Sequence, residues 1–337
     1  MLFDFHQLID GANEAARGKD MIGTTKKGIG PAYNSKMQRN AVRFGELKNF
    51  EMWERNFRKL VDDNKRLYPE ALADYDVESE VIRYRDYAGV IDEWIVDGVH
   101  FVNDAYKQGK SIITEGANAV MLDVDFGTYP YVTSSTTTAG GLCTGLGLSP
   151  DKVECVMGVV KAYTTRVGEG PFPTELTDDL SGGNVPRGAP GTEIGKHLQD
   201  VGFEYGVTTG RKRRCGWLDI PVLQYAGLIN GYSSLNLTKL DVLSDLDEIK
   251  IGVAYQLRGE TLAPGCMPST LHDLEAVEVI YESMPGWKSD ITMCRSFGEL
   301  PTQAQAYVQR IETLLECPVS WIGTGPGRDE MAINFEE

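Results

Sequence analysis

Residues that usually build metal centres are scarce in this sequence. It has four histidines and six cysteines among 337 residues, and none of them forms a CxxC, HxxxH or HExxH pattern. Those spacings mark zinc sites and disulfide frameworks, so neither is predicted. Reduced and mostly buried thiols are instead typical of a cytoplasmic protein. We therefore expect a cytoplasmic location and no metal ligands in this chain.

Long apolar runs are also missing, and acidic side chains outnumber basic ones. No apolar stretch approaches the roughly 20 residues that cross a bilayer. The 49 acidic and 33 basic side chains give a formal net charge of −16. This balance disfavours non-specific binding to nucleic acid or anionic lipid. Neither nucleic acid nor a membrane is therefore an expected partner.

Local patterns predict several helices and one long loop. Residues 4–18 and 47–108 have helical patterns, and apolar residues from Ile91 to Tyr106 form a stripe that we interpret as core packing. The glycine- and threonine-rich segment 22–36 is predicted to be a shaped loop.

Short apolar segments predict buried strands. They lie at residues 111–114, 153–163, 235–238 and 319–322. Each ends near a polar or glycine-rich loop, with helices between them, which is typical of α/β proteins. We predict a single domain over residues 1–337, with a largely parallel central sheet flanked by helices. In such sheets ligands bind at the carboxyl ends of the strands.

Two of these strand ends carry residues suited to guanine. Lys239, Leu240 and Asp241 follow one strand, and Gly323, Thr324 and Gly325 follow another. A carboxylate can accept two hydrogen bonds from guanine, whereas adenine offers no matching donor pair. The first motif alone is weak, because many strands end in charged residues. The two loops together predict a guanine pocket.

A basic run interrupts the acidic chain. It follows two threonines and reads Val207, Thr208, Thr209, Gly210, Arg211, Lys212, Arg213 and Arg214. Hydroxyls and guanidinium groups suit carboxylate or phosphate, although a solvated basic turn is the alternative. The hydroxyl-rich segment 123–138 is a weaker phosphate candidate. No triphosphate-binding loop is recognisable, since Gly109-Lys110-Ser111 precedes a predicted strand and has no upstream glycine.

Several of these segments together resemble the adenylosuccinate synthetase family over essentially the whole chain. Residues 28–39 fit its signature GIGPxYxxKxxR, and EGANAVMLDVDFGTYPYVTSS, GVTTGRKRR, TKLD and GTGPGRDE match further blocks in order. Asn118 and the sequence DFGTYPYVTSS at residues 125–135 resemble the eukaryotic members of the family. The resemblance implies a ligase of purine biosynthesis that joins L-aspartate to IMP with GTP. It also implies Mg²⁺ as cofactor and a homodimer.

The resemblance assigns roles to individual residues. The implied IMP-binding residues are Thr25, Arg39, Asn118, Thr133 and Arg211, with Arg39 reaching the partner subunit's site. The implied aspartate loop is Val207, Thr208, Thr209, Gly210, Arg211, Lys212 and Arg213. The implied GTP-binding residues are Arg213, Lys239, Leu240, Asp241, Gly323, Thr324 and Gly325. Lys36 belongs to the signature. Its role is either catalytic or, as the alternative, structural or phosphate-steering.

One part of the family pattern is not found here. The family resembles P-loop NTPases and carries a GDEGKGK-type phosphate loop with the catalytic base and most Mg²⁺ contacts. We therefore expect a chain that lacks its N-terminal phosphate loop and first strands, and that is inactive alone. A non-catalytic paralogue or fragment that binds IMP or guanine nucleotide is the alternative.

Overall fold

The protein is represented by a computed structural model that describes residues 1–176, 192–206 and 210–334. The chain packs into two compact units, Met1–Pro150 and Asp151–Glu337. The single domain expected over residues 1–337 stays a prediction. No helix in the described part of the chain is long and apolar enough to cross a membrane.

The first unit is helical, and residues 1–150 contain no strand. Its helices are α1 (Asp4–Arg17), α2 (Ile29–Gln38), α3 (Phe50–Leu67), α4 (Val77–Ile91), α5 (Gly98–Lys107) and α6 (Gly140–Leu146). Its core is aromatic: Trp53 and Phe57 are fully buried and stack with ring centroids 5.1 Å apart. Asn49 and Asp76 cap α3 and α4 through side-chain oxygens, which explains where these helices begin.

Helix α1 confirms the predicted helix, but the loop predicted over residues 22–36 is wrong from Ile29 onward. Gly28, with φ of 79°, turns the chain into α2, and Pro31 lies in the first helical turn. Proline is tolerated there because an N–H in the first turn has no partner within the helix.

Two other predictions in this unit are wrong. The helical region 47–108 is interrupted, so the stripe from Ile91 to Tyr106 does not form one face. Trp94 is 70% exposed and Val99 is 56% exposed, which excludes them from the core. Residues 111–114, predicted as a strand, form no regular secondary structure, and Ile113 is 95% exposed. A strand needs a partner for its N–H and C=O groups, and local composition cannot supply one.

The second unit is an α/β structure. Its strands are β1 (Met157–Lys161), β2 (Thr164–Arg166), β3 (Arg214–Gly216), β4 (Leu218–Asp219), β5 (Ser234–Thr238), β6 (Glu248–Leu257), β7 (Glu260–Thr261), β8 (Glu278–Pro285), β9 (Val319–Gly323) and β10 (Met331–Ile333). Its helices are α7 (Glu193–Val201), α8 (Ile220–Asn230), α9 (Leu271–Glu275) and α10 (Thr302–Leu315).

The main sheet has the order β1-β5-β9-β10. The first three strands are parallel, as predicted, and β10 is antiparallel to β9. The predicted strand at 153–163 is shorter than expected. Leu235, Leu237 and Val319 lie in the core of the unit together with residues of α8 and α10.

A second four-stranded sheet was not predicted. Strand β6 pairs in parallel with β4 and antiparallel with β7 and β8. The largely parallel arrangement therefore describes only the main sheet, and the α/β fold contains mixed sheets. The start of β6 alternates in the sequence, since the buried Ile249 and Ile251 flank the less buried Lys250.

Candidate functional site

The two predicted guanine loops lie side by side at one sheet edge. They follow β5 and β9, which are adjacent parallel strands. A Cβ added to Gly323 would lie 3.1 Å from the Thr238 Cα, so a side chain there would push the strand ends apart. The sequence thus brings Lys239–Asp241 and Gly323–Gly325 together as predicted.

Asp241 is the half-buried carboxylate of this edge. Burial raises its pKa, its own backbone N–H and Lys239 lower it, and Glu330 and Asp290 raise it further. A partly desolvated carboxylate interacts strongly with donors that replace its lost water. This position suits a ligand that presents N–H groups.

The neighbouring loop residues have more structural contacts than the sequence suggested. Thr324 is fully buried, its hydroxyl donates to the Cys294 carbonyl at 3.3 Å, and its amide donates to the Glu330 carbonyl at 2.9 Å. Leu240 is a fully buried core residue. Thr324 and Leu240 therefore shape the edge of the sheet through these contacts.

Lys239 points its amine at a buried carboxylate. The residue has φ of 60°, and its Nζ donates to Glu204 Oε1 at 2.8 Å and to the Gly202 carbonyl. Glu204 also accepts from Lys161, Arg213 and Tyr163, and we call these five side chains the Glu204 cluster. Nothing in the sequence had singled out Glu204.

The predicted aspartate loop is described only at its ends, because Val207, Thr208 and Thr209 lie outside the described residues. The Gly210 amide donates to the Gly206 carbonyl at 2.7 Å, and the Gly206 amide donates to the Arg211 carbonyl at 2.8 Å. Arg211 and Lys212 are exposed at this turn.

The last two residues of the basic run have different partners. Arg213 donates to Glu204 at 2.8 Å. Arg214 instead forms an ion pair with Glu175 and donates to the carbonyls of Gly168 and Gly170. Arg213 is thus linked through Glu204 to Lys239 of the predicted guanine loop, whereas Arg214 fixes the local backbone.

In the first unit, a cavity of ≈ 770 Å³ brings together Thr133, a predicted IMP residue, and the signature residue Lys36. Lys36, on α2, and Thr133 both line it, with Arg17, Tyr33, Asp125 and Ser134 among its other lining residues. Lys36 Nζ lies 5.6 Å from the centroid of the Tyr33 ring. The cavity offers cations and hydroxyls to an anionic ligand.

The other four predicted IMP residues do not line this cavity, namely Thr25, Arg39, Asn118 and Arg211. Thr25, Arg39 and Asn118 are exposed. Arg39 directly follows α2 with φ of 63°, and Asn118 has φ of 70°. Their assignment to IMP stays a prediction.

The hydroxyl-rich segment has a structural explanation at several positions. Thr133 Oγ1 donates to carbonyl oxygens, with the Leu122 carbonyl at 3.1 Å, and Thr137 Oγ1 donates to the Ala119 carbonyl at 2.9 Å. Asp123 is fully buried and accepts from the Thr137 amide at 2.6 Å. Burial raises the pKa of Asp123, but hydrogen bonds from backbone amides lower it overall. These contacts give the loop its shape.

Two acidic residues on α1 were missed although they shape the same unit. Asp10 accepts from the Gly28 amide at 2.9 Å and from the Thr24 hydroxyl at 3.1 Å. Glu14 accepts from the Ile22 amide at 2.9 Å and from the Thr24 amide. Their spacing of four residues on the buried face of an amphipathic helix was the available signal.

No group of three or more acidic, histidine or cysteine side chains in the described part of the chain could hold a metal ion. The described residues therefore do not fit a self-contained Mg²⁺ site.

Comparisons with known proteins agree on one family. The family model for adenylosuccinate synthetase matches residues 1–332. An adenylosuccinate synthetase of Schizosaccharomyces japonicus is 50% identical over 333 residues, covering 99% of this chain and 73% of the relative. One from Drosophila grimshawi is 50% identical, and the match covers 98% of this chain and 70% of that relative. The solved structure of fully ligated adenylosuccinate synthetase from Plasmodium falciparum is 46% identical, with a TM-score of 0.92. The match covers 99% of this chain and 76% of the Plasmodium chain.

These comparisons bear on the expected truncation. The family model matches from residue 1, so it does not confirm that a phosphate loop and first strands are missing. The expectation that the chain is inactive is likewise not confirmed. The chain spans about three quarters of the length of the relatives named above.

Proposed function

Because this chain belongs to the adenylosuccinate synthetase family, we propose that it joins L-aspartate to IMP with GTP, giving adenylosuccinate, GDP and phosphate. This reaction forms a C–N bond and serves AMP biosynthesis. Among the described residues, the observation that carries the assignment of GTP is the pair of loops that follow β5 and β9, with the half-buried Asp241 in one of them.

Asp241 is proposed to accept two hydrogen bonds from the guanine base. Adenine presents no equivalent donor pair, so a buried carboxylate would be left unpaired by ATP. Lys239, Leu240 and the loop Gly323–Gly325 are proposed to complete the pocket. Support comes from their proximity at one sheet edge and from the engaged side chain of Thr324.

The remaining substrates are assigned by charge and by resemblance. Arg211 is proposed to bind aspartate and IMP, and Arg213 to bind aspartate and the GTP phosphates, since guanidinium groups pair with both carboxylate and phosphate. Thr25, Asn118, Thr133 and Arg39 are proposed IMP residues, with Arg39 serving the partner subunit of a homodimer. Lys36, beside Thr133 in the cavity, is proposed to steer phosphate.

The family reaction has two chemical stages. The IMP O6 atom first takes the γ-phosphoryl group of GTP, and GDP leaves. The amine of aspartate then displaces phosphate from C6 of the purine. The described cations would offset negative charge that develops during both stages. The family is Mg²⁺-dependent, but the described residues contain no group of three or more acidic, histidine or cysteine side chains that could hold the ion. A cytoplasmic location is proposed with the rest.

Turnover by the purified 337-residue chain tests this function. We expect an ultraviolet absorbance change from adenylosuccinate that requires IMP, GTP and aspartate together. Omission of each substrate in turn is the control. Binding of guanine nucleotide without turnover would support the non-catalytic alternative, and neither binding nor turnover would contradict the proposal.

Replacing the proposed base-reading carboxylate gives a sharper test. We expect Asp241→Asn to weaken GTP by about 10–100-fold, because one charged acceptor becomes a donor facing the guanine amine. Xanthosine triphosphate has a carbonyl where guanine has this amine, so its affinity should increase relative to that of GTP. The measurement is competitive binding of both nucleotides. Asp245→Asn, an exposed aspartate nearby in sequence, is the matched control. An unchanged base preference would refute the guanine assignment.

A further inference from the structure

Glu204 occupies an unusual position for a charged residue. Its side chain is fully buried and lies between α7 and the basic turn. Its backbone is fixed on both sides: its amide donates to the Gln199 carbonyl at 2.8 Å, and its carbonyl accepts from the Arg213 amide at 2.9 Å. An isolated buried carboxylate would be costly, so its partners determine what it does.

Three cations from separate chain segments converge on this one carboxylate. Lys161 comes from β1, Lys239 follows β5, and Arg213 immediately precedes β3. Their nitrogens lie 2.8 Å from the nearer oxygen of Glu204. Tyr163 adds a neutral donor at 2.8 Å. The cluster therefore connects the end of the main sheet with the basic turn.

The charge of Glu204 is set by its partners. Burial raises the pKa of Glu204, but hydrogen bonds from Lys161 and Lys239 outweigh it and bring the pKa to about 2. The carboxylate is thus ionised at neutral pH. Each cation keeps about a quarter to a third of its side chain exposed, so each can reach solvent or a ligand while its tip stays bound.

Two of the three cations belong to proposed substrate loops. Lys239 lies in the guanine loop and Arg213 in the described part of the aspartate loop. We propose that Glu204 is a positioning residue that holds Lys239 and Arg213 in one geometry, so that guanine binding and aspartate binding depend on each other. This inference rests on the proposed function, and it assigns Glu204 no contact with substrate.

The coupling follows from shared contacts. Both side chains bind the same carboxylate, Lys239 at Oε1 and Arg213 at Oε2. A ligand that draws Arg213 away leaves the carboxylate to the two lysines and changes the field at Lys239. A ligand that fixes Lys239 conversely sets where the carboxylate lies for Arg213. Coupling free energies of this kind are reciprocal.

Glu204→Gln is the direct test, because it keeps the shape and removes the charge. We expect the KM for GTP and the KM for aspartate each to rise about tenfold, from weakened charged hydrogen bonds, with kcat reduced less than about threefold. The Kd for GTP, measured by calorimetry, should lose its dependence on aspartate. Glu204→Asp keeps the charge, guards against a variant that fails to fold, and should raise both constants by about threefold.

Tyr163→Phe is the matched control. It removes one neutral donor from the same carboxylate but leaves all three cations in place. A purely structural Glu204 would make all three variants behave alike, with lower stability and unchanged KM and Kd values, and this would overturn the inference. If the unaltered chain neither binds guanine nucleotide nor turns over, the proposed function fails and the inference fails with it. Normal guanine preference in the unaltered chain together with unchanged constants in Glu204→Gln would overturn only the inference.

Discussion

Two buried carboxylates in the second unit illustrate how partners decide the behaviour of an acid. Glu204 meets three cations, whereas Asp219 meets the hydroxyls of Tyr255 and Thr174 and the amide of Val222. Burial raises the pKa of Asp219 to about 6, since these neutral donors only partly offset it. Asp219 caps the start of α8, so its protonation bears on the stability of that helix.

The raised pKa of Asp219 predicts a pH-dependent stability. The folded state binds this proton more tightly than the unfolded state, whose pKa is near 4. Stability from this group is therefore fully present below about pH 4 and is lost as pH rises through 6. A rise in pKa from near 4 to about 6 corresponds to about 3 kcal/mol. We expect Asp219→Asn, which retains a capping oxygen, to remove this slope in urea unfolding between pH 4 and 6.

Asp76 provides a control of opposite sign. It caps α4 at the surface, and hydrogen bonds from the hydroxyl and amide of Ser79 lower its pKa. Its contribution is present above the unfolded pKa and is lost as pH falls. Asp76→Asn should therefore flatten only the acidic limb. If both variants gave the same profile, local capping rather than burial would explain Asp219.

Sequence reasoning at the residue scale found motifs at strand ends better than buried acids. The guanine loops were predicted because each follows a recognisable strand. Glu204 was missed because nothing local distinguishes it from the other acidic residues among the 49 of the chain. Its role arises from Lys161, Lys239 and Tyr163, which are far away in sequence, and only the fold brings those partners together.

At the scale of the element, helix α2 depends on one glycine. Gly28 has φ of 79°, and a Cβ there would lie 2.7 Å from the His6 carbonyl carbon and 2.8 Å from the Gln7 amide nitrogen. Both atoms belong to the backbone of α1, so neither can turn aside. Gly28 is one of the glycines that made residues 22–36 look like a loop, yet it precedes the first residue of this helix.

Gly28→Ala should therefore destabilise the first unit by about 2–4 kcal/mol, through left-handed strain and overpacking. Thermal unfolding followed by circular dichroism measures the effect. Gly11→Ala is the matched control, since it lies inside α1 with no atom within 4 Å of the added Cβ. That change should stabilise by about 0.5–1 kcal/mol. Equal effects of the two substitutions would contradict this account of α2.

The strands show why element predictions succeeded only in part. β5 and β9 were predicted because each is a short segment with several apolar residues that ends at a polar or glycine-rich loop. Residues 111–114 have the same composition without forming a strand, and β8 is mostly exposed and was missed. Pairing is a property of two segments, so a pattern within one segment cannot establish it.

At the scale of the whole molecule, the buried clusters are separate. One draws on residues 160–332, a small one on residues 255–277, and an aromatic one on residues 3–81. Each cluster therefore lies within one of the two compact units. Cooperative unfolding follows shared cores, so separate cores favour separate transitions.

We therefore expect calorimetric unfolding of the full chain to require more than one transition. Gly28→Ala should shift only the transition of the first unit, and Asp219→Asn only that of the second. A single transition that moves with both substitutions would instead support one cooperative domain over residues 1–337.

The burial of Glu204 determines how its ion pairs respond to ionic strength. Dissolved ions screen charges that face solvent, as in the surface pair of Arg58 with Glu54, but they reach an enclosed carboxylate far less. The links from Glu204 to Lys239 and Arg213 should thus persist in salt concentrations that weaken the chain's surface pairs. The relative position of the two proposed substrate loops should therefore depend little on salt concentration.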